Sequence, residues 1–309
     1  TVTIFVEPTA RIIAIPQSDT ICNQTNTYIR LTTPTHPTRV NGVRFNFVTI
    51  PDNPSSVDGD TPGTGYTTSD IIDQVLTNNS DSAQRILYVI TPVLLDANDN
   101  QKCPGINDTV IIWLEPTLRF TLTPVLDTIC DGTETSIVIT SPTVPTHPVR
   151  FKYIIQADHI GSLAPYPPGE QTGLFNNDTI SEPFINLTDT AQRITFTITP
   201  YSTDNNGDPR CFGDAGTAIV WVEPTPKVTL TPLFDTICTS FKSNIQLSTI
   251  TVSLHPVRFR YEAEYVPVDV EVYYSLDTFN LVAGEFIVDS IVNNSGIAQR
   301  VDFIVSPYL

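Results

Sequence analysis

Apolar and polar residues alternate with a period of two along much of this chain. Val149, Phe151 and Tyr153 alternate with Arg150 and Lys152, and similar segments recur throughout the sequence. A period of two places alternate side chains on opposite faces of a β-strand, so that one face is buried and the other is solvated. The chain has no comparable helical period, and the pattern therefore predicts an all-β protein.

The alternating segments predict seven short strands in about 108 residues. In the middle of the chain they fall at roughly 117–125, 134–141, 149–156, 172–176, 181–188, 192–199 and 215–223. Seven short strands separated by Pro, Asn, Asp and Gly are typical of an immunoglobulin-like sandwich. We expect tandem immunoglobulin-like β-sandwich repeats that form a rod.

The whole sequence repeats every 108 residues. Cys22, Cys130 and Cys238 follow this period, as do the aromatic residues Phe5, Trp113 and Trp221. The period is far longer than the roughly 20 to 50 residues of a solenoid unit, so each repeat can close its own core. The predicted division is 1–7 as the last strand of a preceding repeat, 8–115 as repeat 1, 116–223 as repeat 2, and 224–309 as repeat 3, truncated before its last strand. We therefore expect the sequence to be a window onto a much longer polypeptide.

The predicted joints between repeats contain almost no linker. Glu115, Pro116 and Thr117 connect the last strand of one repeat to the first strand of the next. Proline fixes its own φ and keeps the preceding residue extended, which makes such a joint stiff. With strands that rise ~3.3 Å per residue, the three repeats would form a rod of roughly 100 to 130 Å.

The chain is strongly acidic. A formal charge of -17 argues against nucleic acid and against anionic membrane surfaces as partners. The apolar runs are only strand length, so we expect no membrane insertion. Separately from the charge, we expect neighbouring repeats of the same chain as partners, together with self-association into a homo-oligomeric filament.

Five cysteines at fixed positions in the repeat predict disulfides and an extracellular location. Pairing within one domain would join Cys22 to Cys103 and Cys130 to Cys211. Strand geometry instead places Cys130 at the far end of its domain and Cys211 at the near end, too far apart for a disulfide. It favours a bridge between domains, from Cys22 to Cys211, which leaves Cys103, Cys130 and Cys238 to pair outside the sequence. Both pairings remain open at this stage.

Several segments resemble the PKD-like and immunoglobulin-like repeats of giant cell-surface proteins of Bacteroidota. They are WVEPTP at 221–226, ICDG at 129–132, ITFTITP at 194–200, and a polar turn that ends in Cys211. The resemblance implies a type IX secreted adhesin or filament protein with a role in gliding or attachment. Its fold would be a PKD-like β-sandwich.

Short Asp-Thr or Asp-Ser words resemble the O-glycosylation acceptor motif of Bacteroidota, and they recur in phase at predicted loops. The candidate acceptors are Thr20, Thr128, Thr236, Ser82, Thr190, Thr109, Thr179 and Ser290. The same words also initiate turns through side-chain hydrogen bonds to the backbone, so both interpretations stay open.

LDANDN at 95–100 resembles a calcium-binding word of cadherins. Asp96 and Asn98, with Asp204 and Asp208 in the next repeat, are weak calcium candidates, because oxygen ligands suit a hard cation. A polar hairpin turn is the alternative that we favour. No cofactor is expected, and no metal site beyond this weak candidate.

No set of potential catalytic residues recurs with the 108-residue period. His36, His147 and His255 each precede a proline at one repeated position, without a matching nucleophile, so we expect turn residues and no enzyme. Phe5, Trp113 and Trp221 are expected to pack at the domain end. Two functions remain: a stalk or filament shaft of a very large secreted adhesin, for attachment, gliding or cell-cell contact, or a set of glycan-binding modules in a surface lectin.

Overall fold

A computed structural model describes residues 1–38, 42–96, 98–166, 169–265, 268–274 and 278–309. The first repeat contains strands β1 Ile13–Ile15, β2 Ser18–Ile21, β3 Thr25–Asn26, β4 Ile29–Thr32, β5 Val43–Pro51, β6 Val57–Asp58, β7 Gly63–Tyr66, β8 Ile71–Ile72, β9 Val75–Asn78, β10 Gln84–Leu95, β11 Gln101–Pro104 and β12 Asp108–Leu114, and a 3-10 turn at Pro54–Ser56. Residues 1–12 precede β1 without regular secondary structure.

The second repeat follows the same plan, and the third follows part of it. Repeat 2 contains β13 Thr121–Thr123, β14 Leu126–Ile129, β15 Thr133–Glu134, β16 Ile137–Thr140, β17 Arg150–Ala157, β18 Leu163–Ala164, β19 Gln171–Phe175, β20 Thr179–Ile180, β21 Pro183–Asn186, β22 Gln192–Thr203, β23 Pro209–Phe212 and β24 Gly216–Val222. Repeat 3 contains β25 Thr229–Thr231, β26 Phe241–Lys242, β27 Ile245–Ser248, β28 Arg258–Glu264, β29 Val270–Tyr273, β30 Phe286–Ile287, β31 Ser290–Asn293 and β32 Asp302–Tyr308. The part of the chain that the structure describes has no α-helix, so the predicted all-β, tandem sandwich fold is confirmed.

Each of the first two repeats is built on one large sheet. In repeat 1 the order is β2-β12-β10-β5-β7, with β11 paired to β10, and repeat 2 repeats this order as β14-β24-β22-β17-β19, with β23 paired to β22. The second layer consists of two small sheets, β1-β4-β8 and β3-β9-β6 in repeat 1, with the same arrangement in repeat 2. Repeat 3 forms the sheets β25-β27-β30, β26-β31-β29 and β28-β32.

The alternation in the sequence becomes a buried face in each large sheet. In β10, Ile86, Tyr88 and Ile90 are fully buried while the residues between them are partly exposed. The apolar residues of repeat 1 form one core that extends from Ala10 to Leu114, and separate cores fill repeats 2 and 3. Each repeat therefore buries its own apolar surface, as expected for a unit much longer than a solenoid repeat.

A buried Thr or Ser hydroxyl lies between the two small sheets of the second layer, at the same position in every repeat. Thr27 lies between β3 and β4, accepts a hydrogen bond from the Gln74 backbone N–H at 3.0 Å, and donates one to the Ile72 carbonyl at 3.0 Å. Thr135 and Ser243 make the equivalent contacts in repeats 2 and 3. The side chain satisfies backbone groups that a continuous ladder would otherwise pair, so the strand can bend without leaving buried polar atoms unpaired.

The strand predicted at the start of repeat 2 differs from the observed strands in a way that matters for the joints. The predicted strand at 117–125 is wrong in extent, because only Thr121–Thr123 is a strand, and a separate strand, β14, follows at Leu126–Ile129. β14 pairs in parallel with β24, and β2 pairs in parallel with β12 in the same register. The parallel pairing joins the beginning of a repeat to its end, which local alternation cannot reveal.

We expect truncation of a core aromatic ring to destabilise one repeat strongly. Phe196 is fully buried and packs against Phe184 and Tyr153. In a Trp113→Phe background, where Trp221 is the remaining tryptophan and reports on repeat 2, Phe196→Ala should lower the free energy of unfolding by about 3 to 5 kcal/mol. Urea denaturation followed by tryptophan fluorescence measures this loss. Phe234→Ala, at a site 94% exposed, is the matched control and should change stability by less than about 0.5 kcal/mol. Equal effects of the two variants would contradict this account of the core.

Candidate functional site: the joints between repeats

A buried glutamate connects the end of one repeat to the next. Glu115 follows β12, is only 1% exposed, and lies before Pro116, which is also buried. Its carboxylate accepts the backbone N–H of Thr146 at 3.0 Å and also the Thr146 hydroxyl, both from the loop before β17 of the next repeat. A buried charge is tolerated when it is fully hydrogen-bonded, and here the donors come from the neighbouring domain.

The same glutamate contact recurs at each joint. At the second joint Glu223 is 2% exposed and accepts the backbone N–H groups of Leu254 at 3.0 Å and His255 at 2.9 Å. The His255 Nδ1 atom lies 2.9 Å from the same carboxylate. Near the start of the chain, Glu7 accepts the Thr38 N–H at 3.1 Å. The glutamates of the repeated EPT words are therefore the residues that fix one repeat on the next.

A short backbone ladder also crosses each joint. At the first joint the N–H of Ala83 donates to the Val144 carbonyl at 2.9 Å, and the N–H of Val144 donates to the Asp81 carbonyl at 2.7 Å. At the second joint Ala191, Val252 and Asp189 make the same pair of bonds, both at 2.8 Å. The two bonds form one bridge at each joint, made by Val144 or Val252. This bridge is a second point of contact besides the glutamate, and it opposes rotation about the single covalent connection.

Side-chain pairs surround these buried contacts. The Asn23 amide donates to the Thr117 hydroxyl at 2.6 Å, and Thr225 with Asp131 forms the equivalent pair at the second joint. Exposed ion pairs join Arg119 to Asp81 and Lys227 to Asp189. Exposed ion pairs contribute only about 0 to 1 kcal/mol each. The relative orientation of neighbouring repeats is therefore determined mainly by the buried glutamate and the backbone ladder.

A disulfide ties the first joint covalently. Cys22 lies just after β2, at the spatial end of the repeat 1 domain that faces repeat 2. It is bonded to Cys211 in β23 of repeat 2, with 5.5 Å between the Cα atoms. This is the bridge between domains that the strand geometry favoured over pairing within a domain. The Arg210 guanidinium, beside Cys211, pairs with Asp19 of repeat 1 at 2.9 Å. Cys103, Cys130 and Cys238 are exposed free thiols in this structure.

The repeated tryptophans lie near the joints but outside the cores. Trp113 is partly exposed on the outer face of its sheet, between Thr20 of β2 and Arg85 of β10. Trp221 occupies the same position between Thr128 and Arg193 in repeat 2. Phe5, at the same phase, is exposed. The tryptophans therefore cover the outside of the sheet just before each joint.

Most glycosylation candidates do not lie in loops, which corrects the expectation from the sequence. Thr20, Thr109, Thr128, Thr179 and Ser290 lie in strands. Ser82 and Thr190 are exposed but form the isolated bridges to Val144 and Val252 across the joints. Thr236 is exposed and lies outside a strand. The Asp-Thr word at Asp19 and Thr20 begins a strand because its partner, β12, is supplied from the end of the same repeat.

The polar hairpins have the geometry of closed turns. The Asp204 carboxylate accepts the backbone N–H groups of Asp208 at 2.9 Å and Asn206 at 2.8 Å, and Asp96 makes the equivalent bonds to Asn100 and Asn98. These hydrogen bonds hold the pKa values of Asp204 and Asp96 below the ordinary value. Among the described residues, no group of three or more His, Cys, Asp or Glu is arranged to hold a metal ion. The observed contacts are those of the hairpin turn that we favoured over calcium.

Two tyrosine side chains, in repeats 1 and 3, are buried and hydrogen-bonded in the interior. The Tyr88 hydroxyl donates to Gln74 at 2.8 Å, and the Tyr261 hydroxyl donates to Asp289 at 2.8 Å. Burial raises the pKa of both hydroxyls well above the ordinary range of tyrosine. They therefore remain neutral hydrogen-bond donors at physiological pH.

The role of the joint glutamates was missed from the sequence, although a signal for it is present. Glu7, Glu115 and Glu223 recur in phase, and each directly precedes a proline. A glutamate at the end of a strand is usually exposed, and its burial depends on the next domain folding over it. The three histidines lie in the partner loops, and His255 contributes to the joint directly.

Comparisons with known proteins agree with this architecture. The PKD-like domain family matches residues 19–118 and again 127–226, two ranges that are also 108 residues apart. A search of curated proteins finds no significant match. Among the described residues, no helix is long and apolar enough to cross a membrane.

Several solved structures have a detectable likeness to this chain at low sequence identity. The human desmocollin-1 ectodomain is 11% identical, with a TM-score of 0.35, and the match covers 96% of this chain and 61% of that one. Fibronectin(III)-like modules of CbhA from Clostridium thermocellum are 9% identical, with a TM-score of 0.26, and cover 74% of this chain and 99% of theirs. The chicken CNTN1 FN1-FN3 domains are 10% identical, with a TM-score of 0.26, and cover 93% of both chains.

Removal of the buried carboxylate should loosen the first joint. In Glu115→Ala the N–H and hydroxyl of Thr146 lose their charged acceptor, so hydrogen-exchange protection of the Thr146 amide should fall roughly 10- to 100-fold. Native-state hydrogen exchange measures this change directly. Glu134→Ala, at an exposed glutamate of repeat 2, is the control and should leave Thr146 protected. If Thr146 exchanges at the same rate in Glu115→Ala as in the native chain, the carboxylate does not hold the joint.

The hairpin carboxylates should titrate below their ordinary value of 3.8. Their hydrogen bonds favour the ionised form, so the stabilisation of the turn is present above the unfolded pKa and is lost as pH falls through the folded pKa. An NMR titration should show the amide resonances of Asn206 and Asp208 moving with the same midpoint as the Asp204 carboxyl carbon. Asp204→Asn keeps an acceptor oxygen but does not titrate, and its amides should lose that midpoint. A midpoint at or above 3.8 would contradict the assignment.

Proposed function

Because this chain belongs to the PKD-like domain family, we propose that it is the structural repeat region, a stalk or filament shaft, of a very large secreted cell-surface adhesin. The main support for the proposal is the structure of the joints between repeats. Each described joint combines a buried glutamate, a backbone ladder and almost no linker, and the first adds a disulfide. Domains that only needed to be tethered would not require a buried charge between them.

The joint contacts support a mechanical role. A flexible linker lets neighbouring domains move independently, whereas contacts at two separated points oppose both bending and twisting. The carboxylates of Glu115 and Glu223 orient each repeat relative to the next in the same manner, because they bind loops 31 residues further along the chain. An array of such joints would hold a distal ligand-binding region at a distance from the cell.

The chemical environment of the chain fits an extracellular stalk. A disulfide is typical of oxidising compartments, and the charge of -17 opposes nucleic acid as a partner. The proposal includes type IX secretion from a member of the Bacteroidota, glycans on the Asp-Thr and Asp-Ser words, and self-association into a filament. It assigns no catalytic role to the repeats.

A second candidate, glycan binding by each repeat, rests on one groove in repeat 2. Lys152, Tyr153, Thr199 and Phe212 line it, and the Lys152 ammonium lies 5.3 Å from the centre of the Phe212 ring. An exposed aromatic ring beside polar groups is a suitable sugar platform. In repeat 1, however, the position of Phe212 is occupied by Pro104. A binding function shared by all repeats would keep that ring, so we favour the stalk.

Solution scattering combined with a glycan array tests the proposal. The 309-residue chain should scatter as an extended particle with a maximum dimension of roughly 100 to 130 Å. On the array, the chain should show no glycan binding that depends on Phe212, so Phe212→Ala should leave the array signal unchanged. Glu115→Ala with Glu223→Ala should broaden the distribution of dimensions, whereas Glu134→Ala should not. A compact particle, or glycan binding that depends on Phe212, would overturn the stalk function.

A further inference from the structure

The disulfide at the first joint connects positions that are far apart along the chain. Cys22 and Cys211 are separated by 189 residues, and most of repeats 1 and 2 lies between them. A crosslink across a joint thus gives a second covalent route through the array, in addition to the backbone at Glu115 and Pro116. The two routes differ greatly in length.

The short route follows two extended segments. From Ala10 the chain runs through β1 and β2 to Cys22, crosses the disulfide to Cys211, and continues through β24 to Glu223. Residues 10–22 contain β1 and β2 and run beside the segment from Ile106 to Leu114, which includes β12. Residues 211–223 contain β24 and run beside nearly the whole length of β22. The longest strand of repeat 2, β22, has 12 residues and extends ~40 Å.

The short route therefore has little slack. More than half of each segment is already in strand conformation in the folded repeat, and a chain cannot extend beyond roughly 3.3 to 3.6 Å per residue. A load applied along the array is carried by covalent bonds before the core strands β5, β10, β17 and β22 can separate along the pulling direction. These strands lie inside the loop that the disulfide closes.

We propose that the Cys22–Cys211 disulfide is a load-bearing bypass that removes the chain between these residues from the mechanical path. It makes the first two repeats nearly inextensible even when their cores yield. This inference rests on the proposed stalk function, since only a load-bearing array has use for it. It assigns the cysteines a role that thermodynamic stabilisation alone would not require, because a disulfide within one domain would stabilise that domain equally well.

Single-molecule force spectroscopy tests the bypass. The 309-residue chain is attached through its two ends and stretched to full unfolding, first oxidised and then with dithiothreitol. The oxidised chain should reach a contour length shorter by roughly 620 to 680 Å, since 189 residue steps remain enclosed at 3.3 to 3.6 Å each. Repeat 3 lies outside the closed loop and serves as an internal reference, because its unfolding should be the same in both conditions.

Two sets of variants make the result specific. Cys22→Ser with Cys211→Ser should show the full contour length without reductant. Cys103→Ser with Cys130→Ser changes the residues at the equivalent positions of the 108-residue period and should retain the shortened length. If the double variant at Cys22 and Cys211 does not fold, the comparison of the native chain with and without dithiothreitol still measures the enclosed length.

The enclosed length distinguishes the bypass from its alternatives. A Cys130–Cys211 pair within repeat 2 would enclose 81 residue steps, about 270 to 290 Å, and this result would overturn the proposal. Equal contour lengths with and without reductant would also overturn it. The stalk function is tested separately by scattering and glycan binding. A shortened contour in a chain that binds glycans through Phe212 would retain the covalent connection but reject its load-bearing role together with the stalk, whereas an unshortened contour in an extended chain would reject the bypass alone.

Discussion

The arrangement of this array depends on a carboxylate that is buried at the boundary between two domains. An ionised glutamate with access to water would give the joint little direction, because water could satisfy it in any orientation. Glu115 and Glu223 are almost fully buried, and their hydrogen-bond donors belong to a loop of the next repeat. Since an unpaired buried charge is very costly, each repeat has a strongly preferred orientation on its neighbour.

The rest of the joint follows from that orientation. When the loop before β17 is held on Glu115, Val144 of the same loop lies close enough to pair with Asp81 and Ala83. The hairpin of β22 and β23 then faces the end of β2, and Cys211 lies within bonding distance of Cys22. The disulfide consequently secures a geometry that non-covalent contacts already favour, and it adds a covalent route for load.

The parallel strand pair connects the domain interior to the joint. β2 lies beside β12, so the beginning and the end of repeat 1 share one sheet edge. This pairing carries Cys22 and Asp19 to the end of the repeat, where they meet Cys211 and Arg210. The buried hydroxyls of Thr27, Thr135 and Ser243 interrupt the opposite layer in the same way in each repeat, which keeps the three cores alike.

The repeat period, the all-β class and the buried face of each long strand can all be predicted from the amino-acid sequence. These properties depend on residues that are near one another in sequence, as in the alternation of Ile86, Tyr88 and Ile90. The positions of the cysteines in the repeat, together with the length of a strand, also favoured the pairing of Cys22 with Cys211. A strand that crosses a domain separates its two ends by a distance set by its number of residues, and that distance is too long for a disulfide within the domain.

Long-range contacts in the folded chain are needed for the strand at Leu126–Ile129, the burial of Glu115, and the position of Thr20 beside Trp113. Each of these depends on a partner about 30 to 95 residues away, and local patterns of polarity carry no information about such pairings. Asp-Thr words and a glutamate before proline are compatible with exposed turns. They become a strand and a buried anchor here because the end of the same repeat, or the loop of the next one, covers them.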